Sequence, residues 1–184
     1  MEARQLTRNF HEREFFVHET PPLAVRVNKL PKVAELAQWL RDLVGSPGVV
    51  TSYWRSPARN ARVSPDAAST SQHMTGEAVD LSFPMISDRE LAQRVTKALR
   101  EGKAPRFGQM IFYPDTTHFH ISIETPRNMN RLMVGHRKPG GGRRYATLAT
   151  FDELPPIPSA VGMLIFAVGT AVALAFFFPV PLAA

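Results

Sequence analysis

The chain has 184 residues, with 22 Lys and Arg against 16 Asp and Glu, six His and no Cys. This length suits one ordinary domain with a short extra segment. An apolar content of 44% excludes a fully disordered chain, and the absence of Cys excludes disulfide scaffolds, Cys-ligated metal sites and thiol catalysis.

Charge is unevenly placed. Residues 125–150 hold Arg127, Arg131, Arg137, Lys138, Arg143 and Arg144 and no acid, so basic and acidic residues balance at 16 each elsewhere. The net charge of +6 therefore belongs to one arm, which is unlike a uniformly basic nucleic-acid binder.

The first fifteen residues contain no apolar run behind a basic start, so no secretory leader is expected. Val33, Leu36, Ala37, Leu40 and Val44 recur on one helical face, with Pro31 near the start and Gly45 at the stop. Residues 49–53 read as a strand. Residues 55–71 are polar, contain Pro57 and Pro65, and read as loop with one helical turn. Residues 78–83 are a second strand. Ser87 to Glu90 form a capping box for a helix with Leu91, Val95, Ala98 and Leu99 on its apolar face, ending at Gly102. Residues 107–112 and 118–123 are two further strands, joined by a turn at Pro114-Asp115. The expected class is α+β, a small antiparallel sheet with flanking helices.

Beyond residue 125 the expectation is a basic Gly/Pro-rich linker over 126–158, with a mobile loop from Lys138 to Arg144 and a stiff spacer at Pro155, Pro156 and Pro158. The folded domain then spans 1–125. From Ala160 to Phe178 no residue is charged. At 1.5 Å per residue this stretch covers about 28 Å, close to the hydrocarbon thickness of a bilayer. Residues 159–180 are therefore expected to form a single-pass C-terminal membrane helix. The basic arm at 125–150 suits anionic lipid head groups beside it. No aromatic interleaving supports nucleic acid as the partner.

The chemistry-bearing residues lie in three stretches. His118 and His120 alternate on a strand and share a face. Asp80 sits in an apolar strand, where a lone carboxylate is costly to bury and needs a partner. His73 precedes it across a turn that Gly76 permits. His73, Asp80 and His120 together offer two imidazoles and one carboxylate, the donor set of a catalytic zinc site with one open position. Zinc would acidify a bound water and polarise a substrate carbonyl, with His118 as the adjacent candidate for carrying the proton or for stabilising the developing oxyanion. The competing reading pairs Asp80 with an arginine and leaves the histidines incidental. His11, His18 and His136 have no motif around them and read as solvated.

The pattern Ser71-x-His73-x-x-Gly76-x-Ala78-x-Asp80, followed by His118-x-His120, resembles the zinc D-alanyl-D-alanine carboxypeptidases. These peptidoglycan peptidases share a fold with lysostaphin-type enzymes and the hedgehog signalling domain. Leu6 to Phe10 with Glu14-Phe15, Thr51 to Pro57 with Asn60, and Phe107 to Ile111 resemble further segments of the phage and bacterial branch, in the family's order. The resemblance implies a Zn2+ cofactor held by His73, Asp80 and His120. It implies a catalytic role for His118, and a catalytic or carboxylate-binding role for Arg55. Ser71 and Gln109 would line the cleft or orient ligands. The glutamate that several relatives place before the final histidine is missing, which leaves His118 or Asp115 as general base, with His118 preferred. The glycine usual before the aromatic of the Arg55 segment is missing too.

The expected function is a membrane-tethered peptidase of peptidoglycan stem or cross-link peptides, serving phage lysis or virion entry from the host inner membrane or a virion membrane. The alternative is a zinc-containing wall-binding or virion structural module without catalysis.

Overall fold

The computed structural model describes residues 4–64, 70–114, 116, 118–139 and 141–149. A 3-10 turn at Glu12–Phe15 leads into α1 (Leu23–Asn28) and α2 (Leu30–Val44). The periodicity of α2 buries Leu30, Val33, Ala37, Leu40 and Val44, and Gly45 ends the helix at φ 71° with its N–H on Arg41 O. The first strand, β1, runs Val49–Ser52 and is followed by α3 (Pro57–Val63). Ser56 caps α3 by accepting from Arg59 N, with Pro57 opening the helix. Then come β2 (Ala78–Ser82), α4 (Asp88–Arg100), β3 (Gln109–Phe112) and β4 (His118–Ser122). Ser87 Oγ accepts from Glu90 N at 3.2 Å and starts α4. The chain closes with β5 (Arg131–Arg137) and β6 (Arg143–Leu148).

Two expectations are corrected here. Residues 131–137 and 143–148 are strands of the sheet, so the domain does not stop at 125 and these parts of 126–158 are not linker. The reason is legible in the burial of Leu132, Met133 and Val134: β5 covers an edge that β3 would otherwise expose. Between the two strands Lys138 N donates to Gly142 O and Gly141 N to Lys138 O, each at 3.1 Å. The sheet is also mixed, not purely antiparallel. Its order is β1-β2-β4-β3-β5-β6, and β3 pairs with β5 in parallel while all other neighbours are antiparallel.

The strand period of two divides the sheet into two faces. Val79, Leu81, Met110, Phe112, Phe119, Ile121, Leu132 and Val134 join Leu40 of α2 and Val95 of α4 in the main core. The opposite face carries one aligned row: Ser52, Asp80, His120, Ile111, Met133 and Thr147, one residue from each of the six strands. Hydrophobic burial on the helix side thus holds Ser52, Asp80 and His120 side by side on the other.

Among the described residues, no helix is long and apolar enough to cross a membrane. The stretch 159–180 lies outside the described residues, as does Asp115.

Candidate metal centre

His73, Asp80 and His120 converge, with one ligand atom of each within 4.8 Å of the others, and all three are buried. Asp80 and His120 are direct partners on β2 and β4. His73 arrives on a turn. Gly76, at φ 69°, shapes that turn, and a Cβ there would lie 2.3 Å from Val25 Cγ1. Tyr53 Oη donates to Gly76 O at 3.1 Å and Trp54 Nε1 donates to Met74 O at 3.1 Å.

The protonation pattern follows from the neighbours. His73 Nδ1 lies 2.6 Å from the Tyr53 carbonyl oxygen, which can only accept. The proton therefore sits on Nδ1, and the lone pair on Nε2 faces Asp80 Oδ1 at 3.3 Å. His120 Nε2 faces Gln72 Oε1 at 3.4 Å, which leaves its Nδ1 against the same Asp80 oxygen at 2.9 Å. With a metal bound, His73 Nε2, His120 Nδ1 and Asp80 Oδ1 would turn their lone pairs to one shared point. Ligands about 2.0–2.2 Å from one tetrahedral ion lie about 3.3 Å from each other, so the spacing suits zinc.

The electrostatics match that donor set. Burial by itself raises the Asp80 carboxyl, but the facing His73 and the hydrogen bond with His120 outweigh it and hold the group well below its ordinary value. Burial lowers His120 despite the pull of Asp80. An ionised carboxylate with neutral imidazole is the state that binds metal.

Asp80 also has an arginine partner. Its Oδ2 accepts from Arg55 Nη2 at 2.9 Å while its Oδ1 faces the imidazoles. Both readings of Asp80 are therefore true at once, one per oxygen. Arg55 Nε donates to Ser52 Oγ at 2.9 Å. The Arg55 side chain is only 13% exposed, so it braces the carboxylate as well as lining the cleft.

A cleft of about 1480 Å³ opens over this face. His118, Ser71 and Gln109 line it together with the three buried residues. His118 is half-buried, its ring centroid is 4.7 Å from that of Tyr113, and burial lowers its pKa. Gln109 donates its backbone N–H to Ser122 Oγ at 2.8 Å and sets its amide against Met133 Sδ at 3.4 Å. His18, read as solvated, is exposed at the cleft rim.

Sequence reasoning missed Gln72, Ser122 and Tyr113. Gln72 Nε2 donates to Ser122 Oγ at 3.0 Å, which aims Oε1 at His120. The only signal for Gln72 was its place beside His73. Tyr113 lies in the stretch before His118 where the glutamate of several relatives is missing.

A buried pair of imidazoles and a carboxylate, meeting at the floor of an open cleft, defines a metal-dependent hydrolase centre. The chain matches the peptidase M15 family over residues 6–122 and belongs to it. Members are zinc peptidases, and this protein is a zinc metallopeptidase acting on a peptide substrate. A comparison with curated proteins returned no match.

Proposed function

We propose that the enzyme cleaves peptidoglycan stem or cross-link peptides, at a bond involving D-alanine. The observation that carries this reading is the convergence of His73 Nε2, Asp80 Oδ1 and His120 Nδ1 below an open cleft that His118 also lines. His73, Asp80 and His120 would hold the metal through those three atoms. Zinc bound there would supply a Lewis acid for the scissile carbonyl and for a water nucleophile near neutral pH.

The side chains supply the rest. His118, on the same face of β4 as His120, takes the proton from water and returns it to the departing amine. Arg55 orients Asp80 by donating from Nη2 to Oδ2. Its remaining nitrogens, with Ser71 and Gln109, position the peptide against the cleft wall. The open cleft admits a branched wall peptide better than a closed pocket would.

Residues 159–180 are proposed to tether the catalytic domain to a membrane, on the strength of the uncharged stretch from Ala160 to Phe178. Such a tether suits release or entry of a phage at the host envelope.

The test is digestion of purified peptidoglycan by the full chain, with products weighed by mass spectrometry. Cleavage with zinc, loss on chelation and loss in His118→Ala with zinc retained support the reading. Absence of any cut in the wall peptides, with an unrelated peptide cleaved instead, overturns the substrate assignment. Flotation with liposomes tests the tether: protein lacking 159–180 should stay in solution.

A further inference from the structure

The β5–β6 hairpin lies wholly beyond residues 6–122, where the match to the family ends, yet it forms one wall of the cleft. Its register explains how. Arg131 pairs with Gln109, Met133 with Ile111, and Arg137 with Arg143, so alternate residues fall on the same face as His120. Ile111, Tyr113 and Met133 form a small apolar cluster beneath them.

That wall is basic. Arg127, Arg131, Arg137, Lys138 and Arg143 all line the cleft. The only acids lining it among the described residues are Glu77 and Asp80. Both are engaged: Glu77 accepts from Lys29 Nζ at 2.8 Å, and Asp80 accepts from Arg55. No carboxylate among the described residues pairs with Arg127, Arg131 or Lys138, and all three are exposed. Arg131 is oriented by Asn128 Oδ1 at 3.2 Å.

The wall is also joined to the catalytic face. Arg143 donates to Gly135 O at 3.1 Å and its Cζ lies 4.5 Å above the Tyr113 ring, which packs on His118. Gly135 makes this contact possible, because a Cβ there would meet Tyr113 Cε1 at 2.6 Å. A positive field is thus held along the path a peptide must take to His118.

We propose that the β5–β6 hairpin, with the segment leading into it, selects peptides carrying free carboxylates near the scissile bond, with Arg127, Arg131 and Lys138 as the discriminating charges. This rests on reading the cleft as the peptide-cleaving site. Guanidinium groups suit carboxylates by charge and by paired donors. The alternative use of the same charges is attraction to anionic lipid.

The experiment uses the full chain and two stem pentapeptides ending in D-alanyl-D-alanine. They differ only in whether the glutamyl carboxylate is free or amidated. Binding is read by fluorescence polarisation of labelled peptides, with and without zinc, and turnover by mass spectrometry. The free acid should bind roughly tenfold more tightly at low salt, as expected of a few exposed ion pairs, and the preference should shrink as salt is added. The combined variant Arg127→Gln, Arg131→Gln, Lys138→Gln should lose the preference and still bind the amide. Equal binding of the two peptides to the wild-type protein overturns the proposal whether or not the variant folds. If both peptides are cleaved without preference, the peptidase reading stands and the hairpin proposal falls. If the acid is preferred and neither peptide is cut, the selection stands and the D-alanine reading falls. A variant that keeps the preference while losing affinity for phosphatidylglycerol vesicles assigns the charges to lipid and also overturns it.

Discussion

Replacing Gln72 by leucine asks how far the metal centre depends on a side chain that no motif marks. Gln72 is buried, donates to Ser122 Oγ at 3.0 Å and sets Oε1 3.4 Å from His120 Nε2. Leucine nearly preserves the volume and removes both interactions. His120 then lacks the acceptor that keeps its proton on Nε2, and Nδ1 is no longer reserved for the metal. Loss of such an outer partner costs about 10–100-fold in metal affinity, or about 1.4–2.7 kcal/mol. The metal-free protein should also lose about 0.5–1.5 kcal/mol, because the buried hydrogen bond from Gln72 to Ser122 Oγ is removed. Zinc affinity is read by competition with a fluorescent chelator, and stability by urea unfolding in EDTA. Gln72→Glu, which restores an acceptor, should recover most of the affinity. If Gln72→Leu held zinc as tightly as the wild type while His120→Ala did not, the assigned role of Gln72 would be refuted.

Other substitutions probe the scaffold around the centre. Arg55→Leu in metal-free protein leaves Asp80 Oδ2 without its buried partner and should cost about 3–5 kcal/mol in chemical denaturation; a loss below about 1 kcal/mol would place the pair among weak surface bridges. Gly108→Ala sets a Cβ 2.3 Å from the Ile123 carbonyl oxygen and 2.7 Å from Ser122 Oγ, so it should destabilise by about 1–3 kcal/mol and weaken zinc binding through the Ser122–Gln72 contact. Gly102→Ala meets nothing within 4 Å, so only its φ of 64° is penalised, at about 1–2 kcal/mol, with zinc affinity unchanged in the same titration. Glu19 accepts from both the N–H and the hydroxyl of Ser56, and the first of these chiefly holds its carboxyl below the ordinary value of 4.5. A depressed carboxyl stabilises above its unfolded value and loses that contribution as pH falls through the folded one. Urea midpoints of wild type and Glu19→Gln should therefore differ near neutrality and converge well below pH 4.5; a gap that stays constant with pH would remove this contact from acid sensitivity.

The apolar period placed α2 and α4, and capping at Ser87 and termination at Gly45 marked ends that the structure keeps. Four strands were legible for the same reason: short runs with period two announce their own burial. The three converging residues were legible as a candidate metal-binding group as well. Asp80 inside an apolar strand is a local anomaly, and a local anomaly can be read without coordinates. The hairpin was not legible. Leu132, Met133 and Val134 lie between Arg131 and Arg137, and charge count masked an apolar run that becomes a strand only because β3 offers it a parallel edge.

The linear order of residues therefore determined which groups exist, which of them share a strand face, and that two imidazoles and a carboxylate suit zinc. Tertiary structure alone decided that Asp80 divides its two oxygens between Arg55 and the imidazoles, that Gln72 steadies His120, and that arginines remote in the chain line the cleft. The physical reason is that periodicity is a property of one segment, whereas pairing between β3 and β5 and the directions of lone pairs depend on which segments meet.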